Sequence, residues 1–97
     1  MTLETIPFDA ARLLNTPGAQ AEYLALAFES GDPARVAKAF GTVARAHGMA
    51  NLAEEIGITR QGLAKALGEG GNPTLATLLA LTKALGFRVT VEPLTAA

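Results

Sequence analysis

Cysteine is absent from all 97 residues, which excludes disulfides, a thiolate zinc site and a cysteine nucleophile. Histidine occurs once, as His47, and aromatic residues make up only 5% of the chain. With Tyr23, Phe28 and Phe40 read as core, little is left to stack single-stranded bases. The most apolar stretch, "LATLLALTKALG", is too short for a bilayer and carries Lys83. The start "MTLETIPFDA" has neither the basic opening nor the apolar run of a secretory signal, so a cytoplasmic protein with no membrane association is expected. Charged residues are few as well, 18% against 49% hydrophobic, which is the balance of a folded chain. The length suits one small domain with one core.

The formal net charge of -1 conceals an asymmetry. Residues 1–32 hold one base, Arg12, against five acids, Glu4, Asp9, Glu22, Glu29 and Asp32. Residues 33–88 hold seven bases, Arg35, Lys38, Arg45, Arg60, Lys65, Lys83 and Arg88, against three acids, Glu54, Glu55 and Glu69. Such a division reads either as two faces for two kinds of partner or as ordinary solvated charge.

Helix ends are written plainly into the sequence. Asp9 caps a short helix over about residues 10–15. Thr16 caps the next, with Pro17 at its first position and Gly31 beyond its end. Asp32, Pro33 and Gly48 repeat that grammar. Val36, Ala39, Phe40, Val43 and Ala44 then fall at the spacing of one buried helical face. The following helix, "ANLAEEIG", starts with Ala50 where a capping hydroxyl belongs, a loss of about 1 kcal/mol. Thr59 caps "RQGLAKALG" and Thr74 caps the apolar "LATLLALTKALG", which Gly86 ends. Being apolar nearly all round, this last helix is predicted to be the most buried.

After it, "FRVTVEP" alternates Phe87, Val89 and Val91 with Arg88, Thr90 and Glu92, the period of a half-buried strand. No second strand is visible to pair with it, so the three apolar residues are predicted to pair across a homodimer. Residues 1–32 are read as an acidic helical segment of the same domain. Residues 33–86 form the core, 87–92 the dimerisation strand and 93–97 a tail.

The centre of the chain, "LAEEIGITRQGLAKAL", has the marks of a helix-turn-helix. A steep crossing of two short helices needs a small residue in the first and a glycine in the turn, supplied by Ala53 and Gly57. Leu52, Ile56, Ile58, Leu63 and Leu67 supply apolar contacts. Thr59, Arg60, Gln61, Ala64 and Lys65 then face outward. Arginine reads guanine and glutamine reads adenine by paired hydrogen bonds in the major groove, while lysine suits phosphate. An ordinary helical hairpin with a polar face would show the same pattern. Asn72 and Thr74, in the turn before the last helix, are placed to touch one phosphate each. Gly62 either admits close approach to DNA or is a tolerated glycine costing about 1 kcal/mol of helix propensity.

"ITRQGLAKALGEGG" followed by "NPTLATLLALTKALGF" resembles the lambda-repressor-like, or xenobiotic-response-element, DNA-binding family in order, spacing and loop length. Nearly the whole chain, from "PFDAARLLNTPGAQAEYLALAFESGDP" to the terminal strand, resembles the HigA-like addiction-module antidotes of type II toxin–antitoxin pairs. The resemblance implies a mainly α fold of five to six helices with one C-terminal β-strand paired across a dimer. It also implies an antitoxin that binds double-stranded operator DNA, represses its own operon and neutralises a small basic RelE/ParE-type toxin. On that reading Leu3, Ile6, Phe8, Leu13 and Leu14 are apolar anchors for the toxin. Asp9 joins Glu4, Glu22 and Glu29 in the acidic rim around them.

No enzyme, cofactor or metal is expected. His47 sits beside Gly48, where its charge suits the helix dipole, and no base, orienting group and nucleophile converge on it. "EGGNP" lacks the spacing and the lysine of a phosphate-binding loop. Two other functions compete with the antitoxin: a stand-alone prophage-type regulator without a toxin, and a helical adaptor that binds no DNA.

Overall fold

The computed structural model describes residues 14–95 as an all-helical chain. Its helices are α1 (Pro17–Glu29), α2 (Pro33–His47), α3 (Met49–Ile56), α4 (Arg60–Leu67) and α5 (Leu75–Ala84). The four predicted side-chain caps in this range all form. The Thr16 and Asp32 side chains accept from the Ala19 and Ala34 amides at 3.1 and 3.0 Å. Thr59 and Thr74 accept from those of Gly62 and Thr77 at 2.9 and 3.1 Å. Each bond satisfies an amide that the first turn of a helix leaves without a partner.

The core is organised around α2, which hides Val36, Ala37 and every residue from Ala39 to Ala44. Helices α1, α3 and α4 each pack on α2, and α3 also packs on α4 and α5. Phe40, Val43, Leu52, Leu63 and Leu81 are almost fully enclosed. The ring of Phe28 meets that of Phe40 edge-on, with centroids 6.0 Å apart. Gly41 allows α2 and α4 to approach closely, since a Cβ there would lie 3.2 Å from the Leu67 carbonyl oxygen. Thr42 and Thr82 are buried without loss, their hydroxyls donating to the carbonyls of Lys38 and Leu78 one turn back.

Several expectations are corrected. Helix α3 begins at Met49, not Ala50, and its cap position is Gly48, which also ends α2 and makes no side-chain bond. The weak start is therefore real, but its cap position lies two residues before Ala50. Helix α2, not α5, is the most buried element. In α5 only Leu81 and Thr82 are buried, while Leu75 and Leu79 are 70% and 48% exposed. Apolar composition on all sides does not make α5 enclosed, because it is packed on one side only. The helix expected over residues 10–15 falls largely outside the described residues, and Leu14 and Asn15 at its end are not helical.

The mainly α class stands, but the C-terminal strand does not form among the described residues. Phe87 instead completes the stop of α5. Its amide donates to the Thr82 carbonyl at 2.9 Å, and Gly86, at φ 88°, donates to Lys83 at 3.0 Å. This is a Schellman ending, with the ring of Phe87 turned onto the core. Beyond it Val89 and Val91 are 50% and 91% exposed. An alternating sequence without a second strand in its chain has no ladder to join. Strand pairing through Phe87, Val89 and Val91 is withdrawn with it.

Candidate nucleic-acid interface

The turn between α3 and α4 is three residues long and is fixed at both ends. Gly57 adopts φ 84°, a conformation that any side chain would strain. Its amide donates to the Glu54 carbonyl at 3.2 Å, and the Ile58 amide reaches back to Ala53 at 3.0 Å. This is a second Schellman ending. Thr59 then caps the next helix, so the bonded Gly57 and Ile58 amides and the Thr59 side chain fix the change of direction.

Leu63 and Leu67 of α4 are buried beside Leu52 and Ala53 of α3, anchoring the pair against α2. Ile56 is half-buried in support, while Ile58, expected inside, is 40% exposed. Opposite this seam Arg60, Gln61, Ala64 and Lys65 are all exposed. Their spacing places them on one continuous side of α4. Every candidate reading residue thus lies on the solvent side of the helix, and Thr59 stands exposed at its head.

Electrostatics at this end also favour an anion. The first turn of α4 has no acidic residue, and Arg60 occupies its first position. A cation there opposes the helix dipole by about 0.3–1 kcal/mol when exposed. Amide and guanidinium charge together attract phosphate. Such a placement makes sense for a partner rather than for the helix itself.

The hydroxyls of the two threonines are used differently. Thr59 Oγ1 accepts from Gly62 and keeps its proton, so it can cap the helix and donate to a phosphate at once. Thr74 Oγ1 accepts from the Thr77 amide and donates to Thr77 Oγ1 at 3.0 Å, which engages its single proton. Asn72 is exposed in the preceding loop, within the "EGGN" turn.

The structure gives Gly62 a role that neither expectation named. A Cβ at this position would lie 2.9 Å from Thr59 Oγ1, so the glycine gives the cap its room. The sequence signal was available: the glycine stands three residues after a capping threonine, at the amide that the cap engages.

Of the residues expected to meet a protein partner, Leu3, Ile6, Phe8, Asp9 and Leu13 lie outside the described residues. Leu14 is buried in the core, and its carbonyl accepts from Gln20 Nε2 at 2.8 Å. No cluster of residues able to hold a metal ion occurs among the described residues, and none of their helices is long and apolar enough to cross a membrane.

Comparison with known proteins adds a family to this geometry. A protein of Haemophilus influenzae described as "Uncharacterized protein" is 36% identical over 92 residues, which cover 95% of each chain. No solved structure matches the chain. Residues 4–93 match the family described as "Probable addiction module antidote protein". The chain belongs to the addiction-module antidote family.

Proposed function

We propose that this antidote neutralises a small basic toxin of the RelE/ParE type by direct binding and represses its own operon by reading operator DNA. The supporting observation is the division of α4, with Leu63 and Leu67 buried on one side and Arg60, Gln61, Ala64 and Lys65 presented on the other. In this reading α3, the Gly57 turn and α4 act as a helix-turn-helix, and α4 enters the major groove. Arg60 and Gln61 read base edges, while Thr59, Lys65 and Asn72 engage the backbone, and Thr74, its proton held by Thr77, serves the cap of α5 instead.

The operator-binding form is a homodimer. Its support is the unburied apolar side of α5, where Leu75 and Leu79 stand one turn apart with Lys83 as the helix's one charged residue. A twofold dimer requires palindromic half-sites about one helical turn, or a multiple of it, apart. The chain carries out no catalysis: it binds DNA and protein in the cytoplasm.

The test has two arms. The protein is titrated against the DNA upstream of its own reading frame over a range of salt, where affinity should fall steeply as phosphate contacts release counterions. In parallel it is co-expressed with the product of the adjoining reading frame, whose toxicity should disappear. Salt-insensitive or absent DNA binding would remove the repressor half. A harmless or acidic neighbour would remove the antitoxin half and leave a solitary regulator.

A further inference from the structure

Helix α1, "PGAQAEYLALAFE", is apolar on nearly every side, yet Leu24 is its one buried residue. A helix of that composition ordinarily lies inside a protein or against a second surface. One side of α1 rests on α2. The other leaves Ala21, Glu22, Ala25, Leu26 and Glu29 in solvent, with Leu26 60% exposed. The spacing of 22, 26 and 29 sets an apolar side chain between two carboxylates on a single helical face.

Charge distinguishes what can cover this face. Helix α1 contains no lysine or arginine, so nothing on the helix neutralises Glu22 and Glu29. DNA is repelled by it. A second copy meeting it face to face would set these carboxylates against their own twins, an arrangement that costs affinity. The apolar side of α5, free of acidic residues, carries no such bar. A positively charged protein surface satisfies both features of α1, its carboxylates and its uncovered leucine.

We propose that the Glu22–Leu26–Glu29 face of α1 is the docking surface for a basic protein. That partner closes an apolar contact over Leu26 and sets cationic side chains against the two flanking carboxylates. The inference rests on the antidote reading and gives the toxin a seat distinct from the first residues of the chain. Leu26 acts as the desolvated centre and the glutamates as the rim that steers approach.

The probe is the purified product of the adjoining reading frame, titrated with the full-length protein. Leu26→Ser should weaken binding about tenfold or more, chiefly through faster dissociation. The double variant Glu22→Gln/Glu29→Gln should slow association and flatten its salt dependence, because rim charges act on encounter. Operator binding should be unchanged in both, which shows that they fold. If wild-type protein binds the product and neither variant alters that binding, the docking face is wrong and the antidote reading survives. If wild-type protein does not bind it, the antidote reading fails and takes the inference with it. A Leu26→Cys variant identifies any other occupant through its maleimide labelling rate, expected to be fast in the free protein and slow in the complex. Slow labelling of the free protein at every concentration would mean that the chain covers this face with another of its own segments. Labelling that slows as the protein is concentrated would mean that a second copy does. Either result overturns the proposal.

Discussion

Thr59 Oγ1 receives the Gly62 amide at 2.9 Å, and a Cβ on Gly62 would stand 2.9 Å from that same oxygen. Cap and glycine are thus two parts of one arrangement at the head of α4. Alanine at 62 gains about 1 kcal/mol of helix propensity. By crowding the threonine it forfeits up to about 1 kcal/mol of capping. Gly62→Ala should therefore leave the unfolding midpoint in urea almost where it was. Combined with Thr59→Ala, which removes the cap and the crowding together, the same glycine replacement should become stabilising. That sign change is the quantity to measure.

On the proposed reading, the outward side of α4 makes two kinds of DNA contact that can be told apart. Arg60→Ala or Gln61→Ala should cost about 1–3 kcal/mol on the cognate operator and relax base preference at the contacted positions. Lys65→Ala should weaken every sequence alike and lower the slope of log affinity against log salt by about one. Binding curves on the operator and on scrambled DNA, each at several salt concentrations, tell the two apart. Undiminished discrimination in the variants at 60 and 61 would remove α4 as the reader.

Leu63 of α4 is fully enclosed, on the side opposite Arg60, Gln61, Ala64 and Lys65. Truncation to alanine should cost about 2–5 kcal/mol of stability. Chemical denaturation measures it directly. A loss under about 1 kcal/mol would show that the α3–α4 seam carries less of the fold than its burial indicates.

The proposed dimerisation through α5 makes a different demand. Leu75→Glu with Leu79→Glu should yield a folded monomer by sedimentation, since both residues are already exposed and paired copies would face like charges. Operator affinity should drop with it, while helical content stays. A double variant that still sediments as a dimer would send the search for the interface elsewhere.

What could be read in advance follows the range of the interaction concerned. The caps at Thr16, Asp32, Thr59 and Thr74 were legible because each bond closes within three residues of its own side chain. The outward set Thr59, Arg60, Gln61, Ala64 and Lys65 was legible because helical spacing alone divides it from Leu63 and Leu67. The burial of α5 was not, since its leucines give no sign of which side has a neighbour. Nor was the fate of "FRVTVE". Its alternation is a local property, whereas a strand needs a partner, and the Phe87 amide is engaged in ending a helix. Gly48 misled by serving two helices where one boundary residue was expected for each.

The near contact of Gly41 with Leu67 reaches further than stability. That glycine lies on the hidden side of α4, across the helix from the residues that would read an operator. A methyl group there must push the Leu67 backbone outward by a few tenths of an ångström, because the gap to its carbonyl is 3.2 Å. Helix α4 has eight residues, so a shift at Leu67 lies about two turns from its head. If α4 reads an operator as proposed, position 41 would adjust that reading from behind the helix. Gly41→Ala should change which operators are preferred without touching any of them, and a selection on randomised half-sites would show the shift.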